Sequence, residues 1–490
     1  MPKEPRILNM DTLLSTGNVA GRKAVLEILE AGLQAADPYN ATLNLVRLDK
    51  GRLIVGNKEF EPAGSPRTGD EVFDLSKIGN IYFIGAGKGV QRVAKAFEEV
   101  LGDRLTGGHV IDKKGHPVIL KRIGVTLGSH PAPDEDCVIG CQRILDLTKR
   151  FTERDLVFTC VGNGVSSLLT MPVPGVTVQQ VRELTYLMQV EKGVPTSDLN
   201  PIRNHLDMMK GGRISRYIHP ARMIHLLSID PGNYNQLINR NLWLATLPDF
   251  TTFQMAIDML KKWDAWDMVP ETIRRHLTKA DPAHETVKAS EFVGMDFRIF
   301  GLVPGSGQPA ATRKARELGF KSYIVAEHLM DLEAMHAGMF MAEMARTIEK
   351  LGQPVEPPCA LFTGGEIVVT VGKEAGIGGR HQEFALAAAR KIAGSRNIVI
   401  GSVDTDGTDG PGTQFVKGFE HIPCLAGGIS DGTTWEAAQR AGIDVLREIS
   451  RHNTTPPMLK LNSGIIASPN ISVGNITVTL VMGRNTEEKR

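Results

Sequence analysis

The feature that most constrains the fold is a repeated pattern of short apolar runs, each followed by a small polar loop and then by an amphipathic stretch. Many runs are rich in β-branched residues and lack polar–apolar alternation, as do strands buried on both faces of a parallel sheet. The pattern predicts strands over residues 81–84, 156–160, 223–229, 297–303, 323–326, 359–362, 398–403 and 476–482. It predicts helices over residues 22–36, 90–101, 178–190, 312–318, 332–351 and 382–392. This alternation indicates βα units and an α/β fold with mostly parallel sheets.

The length of the chain predicts two domains. A single hydrophobic core rarely serves 490 residues, and the composition is that of an ordinary globular protein. We expect one α/β domain over residues 1–225 and a second over residues 226–490. The second includes a helical excursion over about residues 234–282, which is rich in tryptophan and has little strand character.

The charge balance narrows the class of partner. The formal net charge is +1 and no long run of lysine and arginine occurs, whereas nucleic acids and membrane surfaces need a basic footprint. We therefore expect a small-molecule partner, and the sequence leaves open whether identical chains assemble. The chain shows no signal-peptide pattern and no apolar stretch long enough to span a membrane, and its five cysteines are scattered. These features predict a cytoplasmic protein with reduced thiols.

Two glycine-rich loops in the first half follow predicted strands, where α/β folds place their ligands. The loop GAGKG, residues 85–89, stands between a strand and a helix, so its glycines and the helix N-terminus suit an anion. The spacing matches neither a Walker A motif nor a complete GxGxxG motif, so a phosphate site and a tight structural turn both stay open. The loop GNGVSS repeats the arrangement. The candidate ligand-binding residues of the two loops are Gly85, Gly87, Lys88, Gly162, Asn163, Gly164 and Ser166.

Two further segments in the first half carry polar groups that suit a ligand. The loop SHPAPDE, residues 129–135, contains His130, while its Asp134 fits a helix cap equally well. The segment NHLDMMKGGR, residues 204–213, places Lys210 and Arg213 beside two glycines, which makes both of them candidate cofactor-binding residues. A solvated basic helix end gives the same pattern.

The second half contains the densest group of candidate residues. In the segment GGRHQEF, Arg380 follows a glycine-rich loop at a helix N-terminus, where a guanidinium can clamp carboxylate or phosphoryl oxygens. The loop TDGTDGP contributes Asp406 and Asp409, which can hold Mg²⁺ or accept a hydroxyl proton, unless the loop is only a series of Asx turns. The candidate cofactor-binding residues at the start of a nearby strand are Gly364, Gly365 and Glu366.

Taken in order, these segments resemble the class II glycerate 2-kinase family, whose C-terminal part is the MOFRL domain. The resemblance covers most of the chain and rests on AVLEILEAGLQAADP, GAGKG, SHPAPDE, GVSSLL, RNHLDMMKGGR, TGGEIVVTV, GGRHQEFALAAA and TDGTDGP. It implies two Rossmann-like α/β lobes with the active site in the cleft between them, and a MOFRL-like region over about residues 358–483. It also implies ATP and Mg²⁺ as cofactors, and phosphorylation of the 2-hydroxyl of D-glycerate or a related short hydroxy acid to give, from D-glycerate, 2-phosphoglycerate.

The resemblance also implies roles for single residues. Lys88 and Arg380 match the family's GAGK lysine and GGR arginine, so together with Asp409 they are the expected catalytic residues. Asp406 and Asp409 match the acids of its TDGTDGP loop and are the expected metal ligands. The chain departs from the family pattern at GNGVSS, at an insertion over residues 412–424 and at ASPNISVGNI. Two other functions therefore stay open: a hydroxypyruvate reductase-type oxidoreductase and a non-catalytic ligand-binding paralogue.

Overall fold

The computed structural model describes residues 4–115, 117–371, 376–411, 413, 416–470 and 474–484. The chain forms two compact units. The parallel-sheet unit is Pro38–Pro304, and the mixed-sheet unit combines Met1–Asp37 with Gly305–Arg490. Both units contain helices and a six-stranded sheet, so the α/β class is confirmed. Residues 412, 414 and 415 of the predicted insertion and residues 471–473 of ASPNISVGNI lie outside the described residues.

The strands of the described residues form three sheets. They are β1 (Val46–Asp49), β2 (Arg52–Val55), β3 (Glu71–Asp74), β4 (Ile81–Ala86), β5 (Gly107–Lys113), β6 (Gly124–Gly128), β7 (Leu156–Val161), β8 (Arg222–Leu227), β9 (Phe297–Gly301), β10 (Lys321–Glu333), β11 (Cys359–Val368), β12 (Ile398–Asp404), β13 (Gly427–Asp431), β14 (Gly464–Ile465) and β15 (Asn475–Val481).

The α-helices of the described residues range from a single turn to eighteen residues. They are α1 (Met10–Leu13), α2 (Val19–Ala35), α3 (Pro38–Leu45), α4 (Val90–Leu101), α5 (Glu135–Thr148), α6 (Val165–Leu168), α7 (Val178–Thr185), α8 (Thr196–His205), α9 (Arg213–Ile218), α10 (Tyr234–Asn239), α11 (Phe253–Lys262), α12 (Glu271–Lys279), α13 (Ala289–Phe292), α14 (Gln308–Glu317), α15 (Ala334–Leu351), α16 (Arg380–Lys391), α17 (Thr434–Arg440), α18 (Val445–Ser450) and α19 (Thr455–Lys460).

The large sheet of the parallel-sheet unit is parallel throughout, in the order β6-β5-β4-β7-β8-β9. Its central strands β4 and β7 are buried at every residue, which explains their continuous apolar sequence. The small antiparallel sheet β1-β2-β3 belongs to the same unit. Because β4 and β7 are parallel neighbours, the loops GAGKG and GNGVSS that follow them lie at the same edge of the sheet.

The sheet of the mixed-sheet unit has the order β10-β11-β15-β12-β13-β14. Its first two strands pair in parallel, and the other four pairings are antiparallel. The expectation of mostly parallel sheets therefore holds for one large sheet, whereas the second is mixed. The physical reason lies in β12 and β15, which are buried at every residue. A strand buried on both faces has the same apolar sequence whichever way it runs, so its direction cannot be inferred from that sequence.

The two units divide the chain elsewhere than at the predicted boundary between residues 225 and 226, which falls inside β8. The N-terminal helix α2 packs on β12 and β15 of the mixed sheet. The approach is so close that a Cβ on Gly21 would lie 2.5 Å from the Val399 side chain, and one on Gly32 would lie 2.6 Å from Ile476. The first 37 residues therefore belong with the C-terminal part of the chain. Amphipathic periodicity alone does not show which sheet a helix covers.

The predicted helical excursion is part of the parallel-sheet unit. Residues 234–282 contain α10, α11 and α12, and no strand is found among them. Helices α11 and α12 pack with α8 around a core that includes Phe253, Leu260 and Ile273. The excursion is therefore a helical layer of one unit and not a connection between two domains.

Most predicted elements are present with shifted ends. The predicted helix over residues 178–190 is α7 followed by a π-helix at Tyr186–Glu191. Strands β5, β6 and β13 are not in the prediction because each begins with glycine, a residue that is depleted in strands. All five cysteines are free, as predicted, and four of them are buried. Among the described residues, no helix has the length and apolar character that a membrane span requires.

Candidate active site

The loop GAGKG joins β4 to α4 and places Lys88 at the carboxyl edge of the parallel sheet. The backbone N–H of Gly87 donates to a carbonyl of β5 at 3.1 Å. The N–H of Lys88 donates to the Asn163 carbonyl at 2.8 Å, and that of Gly89 donates to a carboxylate oxygen of Asp112 at 2.9 Å. These three N–H groups therefore do not form the predicted anion cradle. The loop is a tight joint, and the group it presents is the Lys88 side chain.

The glycines of the two loops allow the chain segments to approach each other closely. A Cβ on Gly85 would lie 2.5 Å from the Cys160 carbonyl oxygen, and one on Gly162 would lie 2.9 Å from the side chain that follows β8. Gly87 has φ 149° and faces the backbone of the GNGVSS loop, while Gly164 has φ 86° and is the N-cap of α6. Close packing and backbone conformation account for all four glycines, and their predicted contact with a cofactor stays a prediction.

Lys88 and His130 both lie beside Gly164 of the GNGVSS loop. A Cβ on Gly164 would be 3.0 Å from Lys88 Cγ and 3.2 Å from His130 Cδ2. Burial, together with the charges of Lys88, Lys113 and Arg203, lowers the pKa of His130 to about 4. His130 is therefore neutral at pH 7 and is surrounded by cations. Lys88 itself makes no ion pair within the described part of the chain.

Arg203, in the last turn of α8, is the functional candidate that the sequence analysis missed. It is 7% exposed, and its Nη2 donates to the Gln189 side chain at 3.0 Å. No ion pair of Arg203 occurs among the described residues, and burial lowers its pKa to about 10. A helix C-terminus stabilises a cation by about 0.3–1 kcal/mol, whereas burial of an unpaired charge costs several kcal/mol. The helix dipole therefore does not explain this residue. The sequence feature that could have identified Arg203 is its position as the first residue of the segment RNHLDMMKGGR.

The predicted cofactor-binding residues Lys210 and Arg213 point into the protein. Lys210 Nζ donates to the carboxylate of Asp207 at 2.6 Å and to the hydroxyl of Thr170 at 2.8 Å. The Arg213 guanidinium donates to the carbonyls of Asn204 and Lys210 at 2.7 and 3.0 Å, and to that of His284. Both cations are buried, and these contacts assign them to the folding of the segment. Their predicted role in binding a cofactor stays a prediction.

A strand-end acid that the sequence analysis did not identify is present at Asp112. It lies near the end of β5, about 20 residues after GAGKG, where dinucleotide-binding folds place a carboxylate for the ribose. The carboxylate is buried and accepts hydrogen bonds from the Gly89 N–H and the Gln91 amide, at 2.9 and 3.1 Å. Because these contacts hold the GAGKG loop, Asp112 has a structural role in this position.

Arg380 begins α16 in the mixed-sheet unit, where two carboxylates hold it. Its Nη2 donates to Asp404 at 2.6 Å and its Nη1 donates to Glu366 at 3.0 Å. Burial lowers the pKa of Arg380, but the two carboxylates outweigh this effect and raise it above its ordinary value. Burial likewise raises the pKa of Asp404, while His381 and Arg380 bring it down to about 2. The guanidinium is therefore fixed in position and fully charged.

Asp409 occupies the N-terminus of α16, where an anionic ligand would otherwise fit. Both of its carboxylate oxygens accept the His381 N–H at 3.1 Å, and one of them also accepts the Gln382 N–H at 2.9 Å. Gly379 is required beside it, since a Cβ there would lie 2.3 Å from the Asp409 carboxyl carbon. Burial raises the pKa of Asp409, whereas His381 and the backbone N–H groups lower it. Asp409 fits the role of a helix cap better than the predicted roles of metal ligand and catalytic residue.

The other predicted residues of this unit lie close to strand β10 or in an Asx turn. Gly365 has φ 117°, and a Cβ there would lie 2.4 Å from the backbone of β10, so Gly364 and Gly365 serve strand packing. Glu366 is exposed at its side chain apart from its contact with Arg380. The Asp406 carboxylate accepts the Thr408 N–H at 2.8 Å, as in the predicted Asx turn. The metal-binding role of Asp406 stays a prediction.

Comparison with known proteins identifies relatives over almost the whole chain. A family described as a domain of unknown function, DUF4147, matches residues 24–278, and the MOFRL family matches residues 359–477. The chain is 32% identical to a glycerate 2-kinase of Pyrococcus horikoshii, over 94% of this chain and 98% of that one. It is 27% identical to a putative hydroxypyruvate reductase of Agrobacterium vitis, over 96% of each chain. A crystal structure of a glycerate kinase from Thermotoga maritima superposes with a TM-score of 0.74 at 27% identity, covering 94% of this chain and 99% of that one.

Proposed function

Because the chain belongs to the class II glycerate kinase family, we propose that it transfers the γ-phosphoryl group of ATP to the 2-hydroxyl of D-glycerate, giving ADP and 2-phosphoglycerate. The observation that carries this proposal is the environment of Lys88. This residue is a lysine without an ion pair among the described residues, at the ligand-binding edge of a parallel sheet. A related short hydroxy acid is the alternative acceptor.

The proposed reaction needs cations more than it needs a covalent nucleophile. The 2-hydroxyl oxygen forms a bond to the γ-phosphorus, the bond from this phosphorus to the β–γ bridging oxygen breaks, and the hydroxyl proton is released. Catalysis of such a transfer consists mainly of positioning and of neutralising charge on the phosphoryl oxygens. We assign Lys88 to these oxygens. We assign Arg380 to the transferring phosphoryl group, because an anion can displace its exposed partner Glu366.

The carboxylates do not fit a metal site built by the protein alone. Both oxygens of Asp409 accept N–H groups of α16. In the part of the chain that the structure describes, no three histidine, cysteine, aspartate or glutamate side chains form a group that could hold a metal ion. Mg²⁺ keeps several waters and is commonly bound by one or two carboxylates together with substrate phosphates. We therefore propose that Mg²⁺ enters with ATP, and Asp406 is the remaining candidate for a contact with it.

Two other functions make different predictions. One relative is named as a putative hydroxypyruvate reductase. A reductase of this kind would need an acid at a strand end to bind the ribose of its dinucleotide. The acid at that position, Asp112, is buried and already accepts a hydrogen bond from the GAGKG loop. A non-catalytic paralogue would bind ligands without consuming ATP.

Purified protein should be assayed with ATP and Mg²⁺ against a panel of hydroxy acids of three to six carbons, with ADP release as the readout. We expect turnover with D-glycerate and a large loss of kcat/KM in Lys88→Ala. Turnover of none of the acids, or oxidation of NADH or NADPH by hydroxypyruvate, would overturn the proposal. Arg216→Ala is the matched control, because Arg216 is an exposed cation of the same unit, paired with Glu291.

A further inference from the structure

The buried cations of the described residues are paired, with one exception. Each of them contacts a carboxylate or several carbonyl oxygens: Arg6 with Asp37, Arg22 with Asp431, Lys210 with Asp207, Arg298 with Glu61 and Glu71, and Arg213 with three carbonyls. Arg203 is the exception, because among the described residues its guanidinium donates to the neutral amide of Gln189 and to no carboxylate. A buried guanidinium with unused donors and no anion is the state expected of a binding group before its ligand arrives.

Arg203 does not stand alone in this part of the parallel-sheet unit. Its charge, like that of Lys88, lowers the pKa of His130, so Arg203 lies within electrostatic range of that side chain. Ala132 of the SHPAPDE loop also lines one cavity with Leu187 of the π-helix that carries Gln189. Lys88 and His130 both contact the position of Gly164 in the GNGVSS loop. The group is therefore assembled from α8, the SHPAPDE loop and the carboxyl edge of the sheet. It contains two cations and a neutral imidazole.

We propose that Arg203 is the anchor for the carboxylate of the acceptor substrate, which it binds through its guanidinium while Lys88 and His130 face the rest of the small acid. The inference deepens the proposed function and rests on it, because it takes the acceptor to be a short hydroxy acid. A planar carboxylate matches the fork of an arginine, which offers two parallel N–H donors.

The burial of Arg203 decides between a carboxylate and the phosphates of ATP. At 7% exposure, the guanidinium admits a small planar group more readily than a triphosphate attached to a nucleoside. Lys88 is less buried and has a flexible stem, which suits it to phosphoryl oxygens. The π-helix that carries Gln189 fits this assignment, because such helices occur frequently at functional sites.

The stability of two arginine variants tests whether Arg203 serves binding or folding. Arg203→Met removes a buried charge that has no carboxylate partner in the described part of the chain, so the Tm of the ligand-free protein should stay the same or rise. Arg213→Met is the matched control, because Arg213 is also buried but donates to three carbonyl oxygens. Its loss removes a donor from each of these acceptors, and the Tm should fall. A fall of the Tm in Arg203→Met as large as that in Arg213→Met would show a structural role and overturn the proposal.

Ligand binding tests which anion Arg203 holds. D-glycerate alone and MgATP alone are each added to the wild type, Arg203→Met and Arg203→Lys, and the rise of the Tm is measured. We expect Arg203→Met to abolish the shift produced by D-glycerate and to keep that produced by MgATP. We expect kcat/KM for D-glycerate to fall by about 100-fold in Arg203→Met, with the KM for ATP changed little. Arg203→Lys, which keeps the charge and loses the fork, should show an intermediate loss.

Several outcomes would overturn the inference: a D-glycerate shift that survives in Arg203→Met, a selective loss of the MgATP shift, or no D-glycerate shift in the wild type. The two proposals fail separately. If D-glycerate stabilises the protein through Arg203 but no phosphate is transferred, the proposed function is wrong and the carboxylate anchor stands. If D-glycerate is phosphorylated with unchanged KM in Arg203→Met, the anchor is wrong and the function stands.

Discussion

Replacement of Asp404 by asparagine tests the ion-pair network that holds Arg380. Asp404 is buried, accepts Arg380 Nη2 at 2.6 Å, and accepts the backbone N–H of Asp406 at 3.1 Å through its other oxygen. Asparagine keeps the shape and this second contact but loses the charge. The pKa of Asp404 falls from an ordinary 3.8 to about 2 in the folded protein. This difference corresponds to about 2 kcal/mol of stabilisation of the ionised carboxylate.

The pH dependence of this loss follows from the sign of the pKa change. A carboxyl group whose pKa is depressed by folding stabilises the protein above its ordinary pKa, and this contribution disappears as the pH falls towards the folded-state pKa. Asp404→Asn should therefore lower the free energy of unfolding by about 2 kcal/mol at pH 7, and the difference from the wild type should shrink between pH 4 and pH 2.

The assay is urea unfolding followed by the fluorescence of Trp435, the single tryptophan of the mixed-sheet unit. Trp435→Phe protein provides the signal of the other three tryptophans for subtraction. The matched control is Glu366→Gln, which removes the exposed partner of Arg380 and should cost no more than about 1 kcal/mol. A difference between Asp404→Asn and the wild type that stays constant from pH 7 to pH 3 would refute this reasoning.

Three further predictions concern single groups. Lys88→Ala should lower kcat/KM by about 100-fold or more without changing the free energy of unfolding, because Lys88 has no ion pair among the described residues; a clear loss of stability would contradict its assignment to a ligand. Asp409→Ala should lower the free energy of unfolding of the mixed-sheet unit by about 1–2 kcal/mol through loss of the α16 cap, and unchanged stability with abolished turnover would instead indicate a catalytic carboxylate. The wild type should lose stability as the pH falls from 6.5 towards 4, since His130 takes up a proton in the unfolded chain but not in the folded one; His130→Gln should lack this part of the pH profile, as urea unfolding at several pH values can show.

The α/β class and most of the strands could be predicted because buried parallel strands leave continuous apolar runs, as in β4 and β7. The direction of the strands in the mixed sheet could not be predicted, because β12 and β15 are buried at every residue and burial leaves no mark of strand direction in the sequence. The sheet on which the N-terminal helix α2 packs could not be predicted from local sequence patterns either. Its contact with the mixed sheet joins residues hundreds of positions apart in the sequence. Strands that begin with glycine, such as β5, give too weak a signal.

The candidate site was predictable at the level of loops and less so at the level of single groups. The sequence identified the loop that presents Lys88, because a glycine-rich turn between a strand and a helix is a local pattern. It could not show that Lys210 has a buried carboxylate partner while Arg203, seven residues before it, has no carboxylate partner among the described residues. Partners are set by tertiary packing, so two cations of one segment can have different surroundings.

The central claim, that this chain is a glycerate 2-kinase, is tested most directly by the phosphorus NMR spectrum of its product. The protein is incubated with ATP, Mg²⁺ and D-glycerate, and the phosphorus–hydrogen coupling of the new ester is recorded. A phosphate on the 2-hydroxyl is coupled to the one hydrogen of C2 and gives a doublet, and this signal should be absent with Lys88→Ala. A triplet, which reports a phosphate on the CH₂ hydroxyl, or an unchanged ATP spectrum would contradict the claim.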